Sequence, residues 1–251
     1  GTCRERSGVV GSTVQFPKIG AGQATITIPQ TDVVPLNVTH SNVTATLSDY
    51  SAPEYSSIFD QQKVNYDERR ELVKVVASAI GRRVDQIKLD ALTASSTSLT
   101  VANSIGGSTT NLNFAKVREA KRLLDGKNVP AADRHMLMHA DSLASLLSES
   151  QATSVDYVTA RNLMDGSINS WMGFQMHMFG DMDEGGLAID GSSDRSLFAF
   201  HKDSLGYAEG IGIKTEINYV PEKLSWLVVC VLSAGAISVD DNGIVKLTCR
   251  E

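Results

Sequence analysis

An α+β fold is expected from three features of the sequence. Its N-terminal stretch alternates small polar and β-branched residues, an apolar stripe of helical period then continues far beyond the average helix, and the C-terminal part returns to strand-like runs. The chain has 251 residues, 42% of them hydrophobic and 21% charged, enough for one sizeable core or two modest ones and unlike a disordered composition.

The first residues, Gly1-Thr2-Cys3-Arg4-Glu5-Arg6, lack the apolar core of a signal peptide, and the missing initial methionine leaves room for an upstream segment. From Val9 to Leu47 the sequence is rich in Val, Ile, Thr and Gly. Alternation in Ala24-Thr25-Ile26-Thr27-Ile28 and in Val43-Thr44-Ala45-Thr46-Leu47 predicts strands, with turns at Gly20-Ala21-Gly22 and around Pro29 and Pro35. Few large apolar side chains occur here, so a long hairpin of this composition is marginal alone and must lean on something else.

The period then changes. Leu72, Val76, Ile80, Val84, Ile87 and Ala91 recur at steps of four and three, predicting a helix over Tyr66–Leu92 of roughly 40 Å at 1.5 Å rise per residue. Asn65 with Glu68 is the expected N-cap pair, and Gly81 weakens the middle without ending it. Glu71, Lys74, Arg82, Arg83, Asp85 and Lys88 read either as a solvated face or as contacts to neighbours in an assembly.

A Ser/Thr/Gly/Asn stretch over Thr93–Asn113 is the expected junction between two lobes. Beyond it, Phe114–Leu124 predicts an amphipathic helix ended by Asp125-Gly126, Met136-Leu137-Met138 a strand, Asp141 the cap of a helix through Leu147, and Thr153–Met164 a further helix stopped by Gly166. Ile168, Trp171, Phe174, Met176, Met178 and Phe179 predict strands packed on a core. The nearly continuous apolar run Leu224–Leu232 reads as a buried strand, far short of the roughly 20 residues of a membrane-spanning helix. Asp241-Asn242-Gly243 resembles a hairpin turn.

Tests for chemistry are negative or weak. No GxSxG pentapeptide is present, and Gly210-Ile211-Gly212 lacks the third glycine of a phosphate cradle and reads as a flexible strand entry. His135 and His139 lie four apart in a strand-like context without a clear third metal ligand. Asp181, Asp183 and Glu184 crowd before Gly185-Gly186 but miss EF-hand spacing, so a solvated acidic loop is expected. Trp171, Phe174, Phe179, Phe198 and Phe200 have no basic groove beside them and read as core; His40, His177 and His201 have no readable partner. Net charge is −6 with no dense Lys/Arg block, against tight nucleic-acid binding. The three cysteines, Cys3, Cys230 and Cys249, share no CxxC spacing and fit a reducing compartment. Asn37-Val38-Thr39 and Asn42-Val43-Thr44 match the glycosylation sequon without an accompanying secretion signal. No residue is assigned a catalytic, cofactor or metal role.

The order of elements resembles the Hong Kong 97-type fold, the major capsid family of tailed bacteriophages. Phe59-Asp60-Gln61-Gln62 before Tyr66-Asp67-Glu68-Arg69-Arg70, continuing into Ala79-Ile80-Gly81-Arg82-Arg83-Val84-Asp85, looks like the approach and spine helix of these proteins. Leu123-Leu124-Asp125 with Asn128-Val129-Pro130 and Asp133-Arg134 is similar to the family's helix, Asx-Val-Pro turn and strand. Gly166-Ser167-Ile168 through Gly173-Phe174, Phe200–Gly206, and Gly235-Ala236 before Val239-Asp240 also resemble capsid segments.

The resemblance implies an N-terminal arm over 1–8, an extended hairpin loop over 9–48, a peripheral lobe from 49–93 and 205–232 with its spine helix at 66–92, and an axial lobe from 94–204 and 233–251. It implies a structural subunit that self-assembles into hexamers and pentamers of an icosahedral shell. Scaffold, portal and decoration proteins are the implied partners, with packaged double-stranded DNA touched weakly and without sequence specificity, no membrane and no cofactor. The implied location is the virion capsid, assembled in the bacterial host cytoplasm. The lysine, asparagine and glutamate that crosslink some members do not map onto this chain, so non-covalent assembly is expected. An encapsulin-like cargo shell is the alternative on the same fold; a hydrolase or sugar-binding enzyme using the acids around Asp181 is the alternative from another class. Deletion of Thr13–Thr46 is expected to leave soluble, assembly-deficient protein.

Overall fold

The computed structural model describes residues 1–26, 28–32, 35–149, 170–181 and 183–251. The order begins with β1 (Arg4–Arg6), β2 (Thr13–Ile19), β3 (His40–Thr46), β4 (Ser48–Ser57), the short α1 (Ile58–Gln61) and the long α2 (Glu68–Ala94). Next come β5 (Thr100–Val101), α3 (Phe114–Gly126), β6 (Arg134–His139) and α4 (Ala140–Ser148). Then follow β7 (Ser170–Trp171), β8 (Phe174–Phe179), β9 (Asp194–His201), β10 (Leu205–Val220), β11 (Ser225–Ser238) and β12 (Ile244–Arg250). The expected helix over Thr153–Met164 and the segment Gly166–Ile168 lie outside the described residues.

The strands form a four-stranded sheet ordered β1-β10-β11-β4, a six-stranded sheet ordered β5-β12-β9-β6-β8-β7, and the two-stranded ribbon β2-β3. Helix α2 lies on the four-stranded sheet because its apolar stripe has the period that keeps one side down: Val76, Ile80, Ile87 and Ala91 are buried together with Leu89 and Leu92. Each such side chain contributes about 1.5–3 kcal/mol when fully buried. Gly81 leaves the helix continuous. Its cap is Asp67, not Asn65: the Asp67 carboxylate accepts from Arg70 N at 3.4 Å, while Glu68 turns away to accept from Ser56 Oγ at 2.7 Å. A reciprocal bond from Glu68 to Asn65 is thereby given up for a tie to β4.

In β11, Val228, Cys230 and Leu232 alternate inward, as the apolar run predicts, but Leu224 adopts a left-handed turn (φ 47°) that joins β10 to β11. Gly210-Ile211-Gly212 is not a strand entry. Strand β10 already starts at Leu205, and the glycines sit at two register shifts against β11, a bulge that a residue without a side chain accommodates. Asp241-Asn242-Gly243 turns the chain but closes no hairpin: the flanking β11 and β12 belong to different sheets, and the Asp240 carboxylate accepts from Asn242 N at 3.2 Å.

The polar stretch Thr93–Asn113 is packed rather than loose. It contains β5, which pairs in parallel with β12, and it buries Leu99, Val101 and Leu112. Thr97 Oγ1 donates to Ile244 O at 2.6 Å. One continuous buried cluster consequently runs from α2 through both larger sheets. The cap of α4 is His139, whose Nδ1 accepts from Asp141 N at 3.4 Å, and Asp141 occupies the first turn instead. All three cysteines are buried and free.

Candidate assembly surfaces

The ribbon β2-β3 pairs from Thr13↔Thr46 to Ile19↔His40. Val14, Phe16 and Ala45 point to the body of the protein and form a small core with Ala208 and Val239. Phe16 is 1% exposed, and its ring lies 3.0 Å from where a Cβ on Gly206 would stand, so glycine is what lets the ribbon sit this close. The Arg6 guanidinium covers the same ring at 5.5 Å, and Lys18 reaches Asp240 at 2.9 Å. The support that so thin a hairpin is expected to need is therefore supplied, at its root, by the body of the same subunit.

Beyond the Ile19↔His40 pair, one backbone bond from Gly20 N to Thr39 O extends the ribbon. The strand predicted over Ala24–Ile28 is not formed: the described residues there have no ladder partner, and Ile26 is 96% exposed. Alternation makes a strand only where a second strand satisfies its backbone, and the glycines and prolines around this segment break the pairing. Ile19, Ile26, Ile28 and Leu36 thus stand in solvent at the tip, an apolar group that marks an interaction surface.

Further large apolar side chains are exposed on α2 and on the sheet beneath it. Tyr66 and Val75 project from the helix and its approach, Ile217 and Tyr219 from the outer strand β10. Tyr219 packs on Trp226 at 5.3 Å, and Arg69 lies 5.0 Å over the Trp226 ring. Of the charges expected to be solvated, Glu71 and Lys74 form an exposed pair at 2.7 Å. Arg83 instead covers Tyr50 at 4.5 Å and meets Glu184 at 3.3 Å, and Lys88 covers Tyr207 at 4.8 Å.

The residues tested for chemistry separate into structural roles. His135 and His139 share a face of β6 but lie about 13 Å apart along a strand, and each meets different partners. His135 Nδ1 is 3.0 Å from His177 Nε2, whereas His139 Nδ1 is 3.0 Å from Glu251 Oε1 and its Nε2 is 3.3 Å from Asp181 Oδ1. The acidic loop is not simply solvated: Asp181 accepts from Arg195 and Glu184 from Arg83. Arg195 is buried, chelated by both Glu251 oxygens at 2.6 and 2.8 Å, and donates to Leu187 O; the Glu251 carboxylate raises its already high pKa further. His139, Asp141 and Glu251 do bring three metal-capable atoms together. The Arg195 guanidinium already supplies the positive charge there. Phe174, Phe198 and Phe200 are buried and Trp171 and Phe179 pack against the same cluster, so these aromatics form no stacking platform.

Sequence reasoning missed Lys116. It is fully buried at the root of α3, where Nζ donates to Thr110 O at 2.5 Å and Thr248 O at 3.0 Å, and burial lowers its pKa. The signal that would have found it is positional: Lys116 falls on the inward side of a helix with Val117, Ala120 and Leu124.

Solved phage shells share this fold. A structure from Mycobacterium phage Che8 aligns with a TM-score of 0.72 at 20% identity, covering 95% of this chain and 85% of that chain. The head of Helicobacter pylori bacteriophage KHP40 aligns at 0.77 with 12% identity, covering 98% and 88%, and the capsid of Cyanophage P-SCSP1u at 0.76 with 13% identity, covering 100% and 87%. No curated protein matches. The fold is accordingly that of a tailed-phage head subunit, the Hong Kong 97-type architecture. The model of the phage capsid protein family matches residues 1–251, and the chain belongs to that family. Its role is structural: it builds the head shell with other capsid subunits and resides in the virion capsid.

Proposed function

We propose that the subunit assembles as hexamers and pentamers of an icosahedral shell around double-stranded DNA, with the tip of its hairpin laid over α2 of a neighbouring copy. The exposed apolar tip beyond a fixed root is the observation that carries this reading. Ile26, Ile28 and Leu36 would each gain about 1.5–3 kcal/mol on full burial, and Val75, Ile217 and Tyr219 offer exposed apolar side chains on the partner. In this reading α2 is the spine helix, residues 49–93 and 205–232 face outward from the capsomer centre, and residues 94–204 and 233–251 approach it. Scaffold and portal proteins guide assembly in the host cytoplasm, decoration proteins attach outside, and the net charge of −6 keeps DNA contacts weak.

Replacing residues 21–38 by a short turn tests the docking. Because Val14, Phe16 and Ala45 belong to the subunit's own core, this deletion spares the root that a Thr13–Thr46 deletion would remove. The shortened protein is expected to keep its thermal transition and yield no closed shells in electron micrographs. Normal shells from it would overturn the hairpin's part in assembly.

A further inference from the structure

Two histidines that neither apolar surface uses face each other inside the six-stranded sheet. His135 of β6 and His177 of β8 lie on neighbouring parallel strands, with Nδ1 of the first 3.0 Å from Nε2 of the second. Their ring centroids are 5.2 Å apart, and Phe200 of β9 packs on His135 at 5.8 Å. The other nitrogen of His135, Nε2, is buried and meets no hydrogen-bond partner among the described residues.

We propose that His135 and His177 form an acid-opened latch that fastens the β7-β8 margin to the rest of the six-stranded sheet. The facing nitrogens share one proton: one ring donates N–H and the other accepts it. A proton added at a facing nitrogen sets two N–H groups against each other, and one added at His135 Nε2 meets no acceptor among the described residues; His177 Nδ1 can take one with the facing bond intact, so the latch opens when His135 itself becomes charged. The surrounding charges do not relieve this. Asp133, just before β6, favours a charged His135, while Lys202 after β9 opposes it. From α2, Asp85 and Lys88 present opposite charges to the cavity of about 440 Å³ that His177 also lines.

Burial pushes the His135 ring down to about 4 and lowers His177 in the same direction. Unfolded, both rings take up protons near the ordinary value of 6.5. Between 6.5 and about 4 the unfolded state therefore binds more protons than the folded one. The latch holds fully above that window and weakens as pH falls through it. Strands β6 and β8 are joined along Arg134–His139 and Phe174–Phe179, and among the described residues β7 has no strand partner but β8, so the margin β7-β8 is what opens.

Hydrogen exchange on the purified, assembled protein tests this. After correction for intrinsic rates, amides of Phe174–Phe179 are expected to exchange at least about tenfold faster at pH about 5 than at pH about 7, while those of Ile244–Arg250 change less. The double variant His135→Leu/His177→Leu is expected to lose that pH difference. Acid acceleration of equal size in the variant, or none in the parent, would overturn the latch. Should the variant fail to fold, histidine C2–H exchange in the unaltered protein decides: a His135 midpoint near 4 supports the latch, and one near 6.5 sinks it.

Discussion

Lys116 shows what one side chain can hold together. Its ammonium joins Thr110 O, in the polar stretch before α3, to Thr248 O in β12, and so ties an irregular segment to a central strand. Lys116→Ala would take the ammonium from Thr248 O, leave Thr110 O with only its bond from Arg250 N, and open a cavity, an expected loss of about 3 kcal/mol in denaturant unfolding of the subunit. Lys116→Met keeps the volume and is expected to lose about half as much. Arg195 poses the same problem with the sign reversed: Arg195→Met leaves the nearly buried Glu251 carboxylate with His139 but without its paired charge, and is expected to destabilise by about 3 kcal/mol. Neither residue was legible as structural in the sequence. A lysine on a helix and an arginine in a strand read as surface charges unless the partner carbonyls and carboxylates, distant in the chain, are known.

At the scale of elements, legibility followed locality. Helix α2 could be read from its own residues because a period of Leu72, Val76, Ile80, Val84, Ile87 and Ala91 specifies both the helix and the side it buries. Asp241-Asn242-Gly243 announced a turn correctly, but no local pattern tells which strands a turn connects, and here it hands the chain from one sheet to another. Ala24–Ile28 carried the alternation of a strand without the neighbour that a strand requires. The root of the hairpin was missed for a related reason: Phe16 counts as one aromatic in a thin segment until Gly206 and Gly235 are seen to clear a seat for the ribbon. Phe16→Ala is accordingly expected to cost about 3–4 kcal/mol in subunit stability, whereas a change at the tip is expected to cost almost nothing there. Differential scanning calorimetry on the two variants separates these cases.

For the whole molecule, the fold class and the division of labour between a buried body and an exposed loop were readable because composition and element order suffice for them. Which apolar residues the body keeps for itself was not readable, since that depends on long-range packing. The double substitution Ile26→Asp/Ile28→Asp is expected to leave the melting transition of the subunit unchanged while abolishing shell closure, as seen by sedimentation and microscopy. The ribbon's root also touches Ala208 in β10 and Val239, and Lys18 grips Asp240, where the chain crosses from the four-stranded to the six-stranded sheet. Mechanically the hairpin is a cantilever whose fulcrum is that crossing. A load applied at its free end arrives as torque between the two sheets, so a neighbour that seizes the tip also stiffens or bends the body from which it extends.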